Sequence, residues 1–130
     1  MIGSEVHLFP VVCRTYKQPD KTLNQRVIDQ MDGYPAQQSN FPEGVITSRS
    51  DLHKIEDGPI TELRQFFWDC LAEYRYHYKL YCDALEISSM WFNHAPAMSG
   101  YGHPLHRHPM SYLSAVYYLT PGAPTFFDDP

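Results

Sequence analysis

The feature that most constrains the fold is a long stripe of apolar side chains that begins just after Pro59. Its members recur at spacings of three and four residues: Leu63, Phe66, Phe67, Cys70, Leu71, Tyr74, Tyr78 and Tyr81. Because proline is favoured in the first turn of a helix, the pattern predicts one helix from about Pro59 to about Cys82. Such a stripe is typical of a buried face, so we expect the helix to pack across the back of a sheet. His77 lies off the stripe and is predicted to be solvated.

Two segments that follow this helix favour β-strands. Apolar and polar positions alternate from Glu86 to Asn93, and the segment from Ser111 to Leu119 is rich in strand-forming residues. Between them, prolines and glycines that include Gly100 and Pro104 predict that the chain turns. Helices followed by strands favour an α+β fold, in which helices support one face of an antiparallel sheet.

The N-terminal part of the chain is expected to add a strand and a helix. The stretch from Glu5 to Tyr16 predicts a first strand that is bent or lies at an edge because of Pro10. Thr22 and Gln25 have the spacing of a capping box, and apolar residues recur after Thr22 at helical spacing as far as Gly33. We therefore predict a short amphipathic helix here.

A polar loop is predicted from residue 34 to residue 58, where prolines and glycines are frequent. A short strand from Val45 to Thr47 fits within it, and His53 is predicted to be solvated. Loops of this length are uncommon in compact domains unless they have a function. A lid over a site and an insertion without a catalytic role are both open interpretations.

The composition limits the class of protein. With 130 residues, 43% of them hydrophobic, residues 1–130 are expected to form a single domain with one core. The net charge of −5 and the scattered basic residues disfavour nucleic-acid binding. No stretch reaches the roughly 20 apolar residues of a membrane span, so we expect a cytoplasmic protein without a membrane partner. The three cysteines lack C-x-x-C spacing and are expected to be reduced thiols.

The sequence His106-Arg107-His108 is the strongest candidate for a site. Pro104 and Pro109 disfavour a helix here. In an extended segment, residues two apart point to the same side, so both imidazoles would project together and could chelate one metal ion. The alternative interpretation is a pair of surface histidines without a ligand.

Short motifs along nearly the whole chain form a further pattern. They are Leu8-Phe9-Pro10, Leu23-Asn24-Gln25, Ser50-Asp51-Leu52-His53, Trp91-Phe92-Asn93, Gly100, His106-x-His108-Pro109, Leu113-Ser114-x-Val116-Tyr117-Tyr118-Leu119 and Phe127-x-Asp129-Pro130. Together these motifs resemble a family of 2-oxoglutarate/Fe(II)-dependent oxygenases common in phage and marine bacterial genomes. The block that runs from the histidines to Tyr-Tyr-Leu is its specific part. The resemblance implies a partial double-stranded β-helix, or jelly roll, of antiparallel strands backed by an N-terminal helix and one long helix.

The resemblance also implies a reaction and a metal. Members of the family use Fe(II) and 2-oxoglutarate to hydroxylate a substrate, which here would be a small molecule or a peptide. His106 matches the first metal ligand of the family, whereas His108 stands where the family has a carboxylate ligand. Asp128 or Asp129 could supply the missing negative charge, but a three-histidine site is the favoured interpretation.

For 2-oxoglutarate, Tyr118 matches the tyrosine that contacts the distal carboxylate in related enzymes, and a buried sheet tyrosine is the alternative. Asn93 and Ser114 are candidate site-lining groups. The family takes its distal histidine and its 2-oxoglutarate-binding arginine from later strands. Because no histidine follows His108 and no arginine follows Arg107, we expect the N-terminal half of such a domain, with no catalytic residue assigned.

Two other functions stay open. Gly100 lies six residues before His106, as in the cupin pattern G-x5-H-x-H, but Tyr112 and Leu113 stand where the cupin glutamate should follow. The alternative function is therefore a cupin-like metal- or small-ligand-binding module without oxygenase activity, and a structural fragment is a third. In half a β-helix the strand from Ser111 to Leu119 would have unpaired edges, so a homo-oligomer is expected.

Overall fold

The computed structural model describes residues 12–36, 44–82, 84–97, 100–122 and 125–126. Within these ranges the chain forms two α-helices, α1 (Leu23–Asp29) and α2 (Pro59–Tyr78), and two short strands, β1 (Ile46–Thr47) and β2 (Asn93–His94). Two 3₁₀ turns, at Met31–Gly33 and Leu52–Lys54, complete its regular structure. The described part of the chain is therefore a mixed α+β arrangement with a two-stranded sheet.

The two strands are antiparallel neighbours although more than forty residues of sequence separate them. Ile46 lies opposite His94, and Thr47 lies opposite Asn93. The Thr47 hydroxyl also donates a hydrogen bond of 2.9 Å to Asn93 Oδ1. The short strand predicted within the long loop is thus confirmed over Ile46–Thr47.

The segment before β2 follows the residues after β1 without forming a continuous ladder. The Ser48 N–H donates to the Phe92 carbonyl at 3.0 Å, and the Met90 N–H donates to the Ser50 carbonyl at 3.0 Å. In return, the Phe92 N–H donates to the Ser48 side-chain oxygen, which is buried, rather than to a carbonyl. The predicted strand over residues 86–93 is therefore confirmed only at Asn93, the first residue of β2, and at Phe92 a side chain takes the place of a backbone partner.

The core of the described residues lies between the two helices. Its buried members are Leu23, Val27, Leu52, Ile60, Leu63 and Met90. Partly buried side chains surround them: Tyr34, Ile55, Phe66, Phe67, Ile87, Phe92, Tyr117 and Leu119. Helix α2 packs on α1 and on the turn at Leu52–Lys54. The expectation that it packs across a sheet is not met in the described ranges, where the sheet is only two residues long.

Helix α1 begins where it was expected, but its start differs from a capping box. The Thr22 side chain makes no capping hydrogen bond. Its hydroxyl instead donates to Asp20 Oδ1 at 2.7 Å, and its backbone N–H donates to the same oxygen at 2.8 Å. Asp20 therefore organises the turn before the helix by drawing the Thr22 hydroxyl away from it.

Helix α2 begins at the predicted residue and ends at Tyr78, short of the predicted Cys82. The reason is Lys79, which adopts the left-handed conformation with φ 50° and ψ 45°. Beyond that point the apolar stripe is lost, and Tyr81 is 93% exposed. His77 is exposed as predicted. In the described part of the chain, no helix is long and apolar enough to cross a membrane.

The prediction that His53 is solvated is wrong. His53 is half-buried in the turn at Leu52–Lys54, and its Nδ1 is buried without a hydrogen-bond partner among the described residues. The Arg64 side chain on α2 donates to the backbone carbonyls of His53 and Ile55, the latter at 2.8 Å. These bonds tie the turn at Leu52–Lys54 to α2, against which His53 is partly buried.

Residues 111–119 form no strand, so this prediction is also wrong. The segment is instead tied to α1 through one side chain, because the Tyr117 hydroxyl donates to Asn24 Oδ1 at 2.5 Å and Asn24 Nδ2 donates to the Leu119 carbonyl at 2.9 Å. Residues 12–16 of the predicted first strand are likewise irregular. Neither of these two described segments contributes a strand.

Other predictions fall outside the described residues. They concern the start of the first strand, from Glu5 to residue 11, the middle of the long loop at residues 37–43, and the residues Phe127, Asp128 and Asp129.

Candidate metal site

The candidate site is built around His106, whose ring orientation is set by a nearby carbonyl. His106 Nδ1 lies 2.8 Å from the Pro104 carbonyl oxygen. A carbonyl only accepts hydrogen bonds, so Nδ1–H is the donor and a neutral His106 has its lone pair on Nε2. Histidines that bind metals are commonly oriented by such a second hydrogen bond. Nε2 is therefore the nitrogen that His106 presents to a ligand.

His108 presents its own Nε2 to the same point. The two Nε2 atoms are 3.2 Å apart, and the ring planes are inclined at 80° with centroids 4.8 Å apart. Two nitrogens that each bind one ion at about 2.1 Å would be separated by about 3.0 Å at a right angle and about 3.4 Å at the tetrahedral angle. The observed separation lies between these values.

Without an ion, the same geometry is satisfied by a hydrogen bond. Because the His106 lone pair is on Nε2, the neutral pair would have His108 Nε2–H as the donor. A metal ion would take the place of that proton, since a ligating nitrogen must be deprotonated. The pair is thus arranged for either a shared proton or a shared ion.

A β-turn follows the pair directly. The Ser111 N–H donates to the His108 carbonyl at 3.3 Å, with Pro109 and Met110 between them. Met110 has φ 68°, a value that is uncommon for a residue other than glycine. The chain therefore turns immediately after His108, and the histidine pair does not continue into a strand.

Two further rings lie beside the pair. The indole of Trp91 is 5.5 Å from the His108 ring, centroid to centroid, and the His103 ring is 6.1 Å from that of His106. Tyr101 in turn contacts His103 edge-on at 5.3 Å. We refer to His103, His106 and His108 as the histidine cluster. Its imidazoles are exposed, so water or a small ligand has access to any ion bound there.

The cluster is not a preformed cage. Among the described residues, no group of three or more histidine, cysteine, aspartate or glutamate side chains is already arranged to hold a metal ion. Two nitrogens converge, and the other positions of an ion would be open. The candidate ligands Asp128 and Asp129 lie outside the described residues.

Two of the predicted 2-oxoglutarate-binding residues, Tyr118 and Asn93, are hydrogen-bonded to groups other than the histidine pair. The Tyr118 hydroxyl donates to the Thr125 hydroxyl, and Asn93 Oδ1 accepts from Thr47 in the small sheet. Ser114 is exposed. Of the predicted site residues, the structure brings together His106 and His108, and the two hydrogen bonds above tie Tyr118 and Asn93 to other groups.

Sequence reasoning assigned no role to Trp91 or His103. A signal for His103 exists, since it is the third histidine within six residues. For Trp91 there was no such signal, because its contact with His108 depends on how the segment before β2 returns to the histidines.

The chain matches no protein-family model, no curated protein and no solved structure. The resemblance to the oxygenases therefore rests on the quoted motifs alone.

Proposed function

We propose that this chain functions as an Fe(II)/2-oxoglutarate-dependent dioxygenase with a partial double-stranded β-helix fold. The observation that carries the proposal is the 3.2 Å separation of the two Nε2 atoms of His106 and His108. This separation is compatible with one shared ion, and it occurs in the motif that resembles the iron-binding motif of the family.

The residues present fit a metal ion better than they fit the whole cofactor set. Neutral imidazole is a good ligand for iron, zinc, copper and nickel. Because His108 replaces a carboxylate, the site has one negative charge fewer than the site of the family, which weakens its preference for Fe(II). For 2-oxoglutarate, Tyr118 is the proposed partner of the distal carboxylate, and its hydroxyl would have to leave Thr125 to bind it.

The roles proposed for the side chains follow from their contacts. His106 would bind the ion through Nε2 while the Pro104 carbonyl holds its ring, and His108 would bind through Nε2 with its ring against Trp91. Asn93 and Ser114 are proposed to contact substrate or 2-oxoglutarate. When bound, Fe(II), 2-oxoglutarate and dioxygen supply an oxidative decarboxylation that yields succinate and carbon dioxide and hydroxylates a C–H bond.

The test is succinate formation from 2-oxoglutarate by the tag-free chain, with and without Fe(II), compared between wild type and His106→Ala. We expect succinate that depends on Fe(II) and is lost in the variant. His77→Ala is the matched control, because His77 is an exposed histidine on α2, and it should retain the wild-type rate. Wild-type protein that binds Fe(II) but forms no succinate would refute oxygenase activity.

A second function is favoured by a separate observation. His108 stands in place of the carboxylate ligand of the oxygenase family. This replacement favours a cupin-like module that binds a metal or a small ligand without oxygenase turnover. That function predicts metal uptake that His106→Ala abolishes, together with no succinate under any condition.

A further inference from the structure

We infer that His103 supplies a third imidazole to the ion bound by His106 and His108, so that the histidine cluster becomes a three-histidine metal site. This inference rests on the proposed metal-binding function. It adds the ligand that the two-histidine motif leaves unassigned, and it assigns that ligand to a residue within the described part of the chain.

The ring distances carry the first step. An imidazole bound through a nitrogen has its centroid about 3.2 Å from the ion, so two rings bound at 90° to 109° have centroids about 4.5 to 5.2 Å apart. The 4.8 Å between His106 and His108 lies within this range. The 6.1 Å between His103 and His106 lies about 1 Å beyond it and below the roughly 6.4 Å expected for two rings on opposite sides of an ion.

The difference of about 1 Å in the distance between the His103 and His106 rings is small enough for a side-chain rotation to remove. His103 is exposed, and residues 100–105 form no helix or strand. Gly100 has φ 67° and Gly102 is next to His103, and a Cβ added at either glycine would meet no atom within 4 Å. Rotation of an exposed side chain is fast. In the three-histidine site, the His103 ring would turn from its contact with Tyr101 towards the ion.

The chemistry of the resulting site follows from its charge. Three neutral imidazoles leave the full charge of a divalent ion uncompensated, and exposure leaves at least one position for another ligand. Such a site favours zinc, copper, nickel or iron and attracts an anion at the open position. The expected class of ligand is a small carboxylate, a class to which 2-oxoglutarate belongs.

The test measures metal binding directly, with no assay of activity. Tag-free wild type, His103→Ala, His106→Ala and His77→Ala would be titrated with Zn(II) by calorimetry, and the Cu(II) forms would be compared by electron paramagnetic resonance. Wild type and His77→Ala should bind one ion tightly and show three nitrogen ligands. His103→Ala should show two nitrogens and at least about tenfold weaker binding, the lower limit of what even loss of an outer-shell partner costs.

The outcomes separate this inference from the proposed function. If His106→Ala loses the ion while His103→Ala keeps wild-type affinity and nitrogen count, the three-histidine site is refuted and the two-histidine site stands. If His106→Ala also binds as wild type does, both are refuted, because the ligands lie elsewhere. Circular dichroism of each variant establishes that the helices are intact, so a loss of binding reports on the ligand.

Discussion

At the scale of single residues, hydrogen bonds from backbone atoms and side chains determine which groups are available. The Pro104 carbonyl directs the His106 Nε2 outwards, and the Asp20 carboxylate takes up the Thr22 hydroxyl. Asp20 also accepts a hydrogen bond of 2.7 Å from Arg26. The half-buried Asp20 carboxylate thus accepts three hydrogen bonds, which stabilise its charged form.

Asp20 should make the stability of the protein sensitive to acid. Hydrogen bonds from the Thr22 side chain, the Thr22 backbone and Arg26 lower the pKa of Asp20 from 3.8 to about 2. Because the pKa of Asp20 is lower in the folded protein, its stabilising effect is present above about pH 4 and is lost as the pH falls towards 2. Urea unfolding at pH 5 and pH 2.5 should show a smaller loss of stability for Asp20→Asn than for wild type.

The control for this prediction is Asp32→Asn, which removes a carboxylate from the 3₁₀ turn after α1. The free energy of unfolding of this variant should change between pH 5 and pH 2.5 by as much as that of wild type. If wild type and Asp20→Asn lose the same stability between the two pH values, Asp20 is not the source of the acid sensitivity.

At the scale of elements, one side chain attaches the segment 111–119 to the helices. The Tyr117 ring lies edge-on to Phe66 and Phe67, at centroid distances of 6.0 and 5.8 Å, and its hydroxyl bonds Asn24 on α1. A single residue thus contacts both helices. In the described structure this segment forms no β-ladder with another strand. We therefore expect the Tyr117 contacts to provide much of the free energy that holds the segment against the helices.

Two substitutions of Tyr117 should therefore destabilise the protein to different extents. Tyr117→Phe removes the hydrogen bond and should lower the free energy of unfolding by about 1 kcal/mol. Tyr117→Ala also removes the aromatic contacts and should cost about 2 to 3 kcal/mol, less than a fully buried aromatic residue would. Tyr118→Ala is the matched control, because Tyr118 is 50% exposed, and it should cost less than Tyr117→Ala. Equal values for the two alanine variants, measured by urea unfolding, would refute the role of Tyr117.

At the scale of the whole molecule, the apolar surface around the histidine cluster favours association. Leu105 is 77% exposed, Tyr112 68% and Val116 57%, and they lie in one segment that no strand covers in the described ranges. Large exposed apolar patches commonly mark interaction sites. We therefore propose a homo-oligomer, most simply a two-fold dimer, in which this segment is covered by a second copy.

Sedimentation at micromolar concentration should detect the dimer, and Leu105→Ser combined with Val116→Ser should shift the protein towards monomer. Lys17→Ser with Lys54→Ser, at two exposed polar positions, controls for a general change in surface. A well-folded wild-type monomer at these concentrations would contradict the proposal.

Local patterns determined the parts of the protein whose interactions are local. The starts of α2 at Pro59 and of α1 at Leu23 followed from apolar spacing, because helical hydrogen bonds join residues four apart. The two-residue spacing of His106 and His108 likewise predicted that their rings would lie side by side. Each of these features requires no distant partner.

Features that depend on distant partners were decided by the tertiary structure. A strand needs a neighbouring strand, and residues 111–119 find Asn24 and the phenylalanines of α2 instead, although their composition favours β-structure. The hydrogen bond from the Phe92 N–H to the Ser48 side chain and the contact of Trp91 with His108 also join residues that are far apart in the sequence. The free energy of such contacts depends on residues far apart in sequence, and no local pattern records which of them will meet.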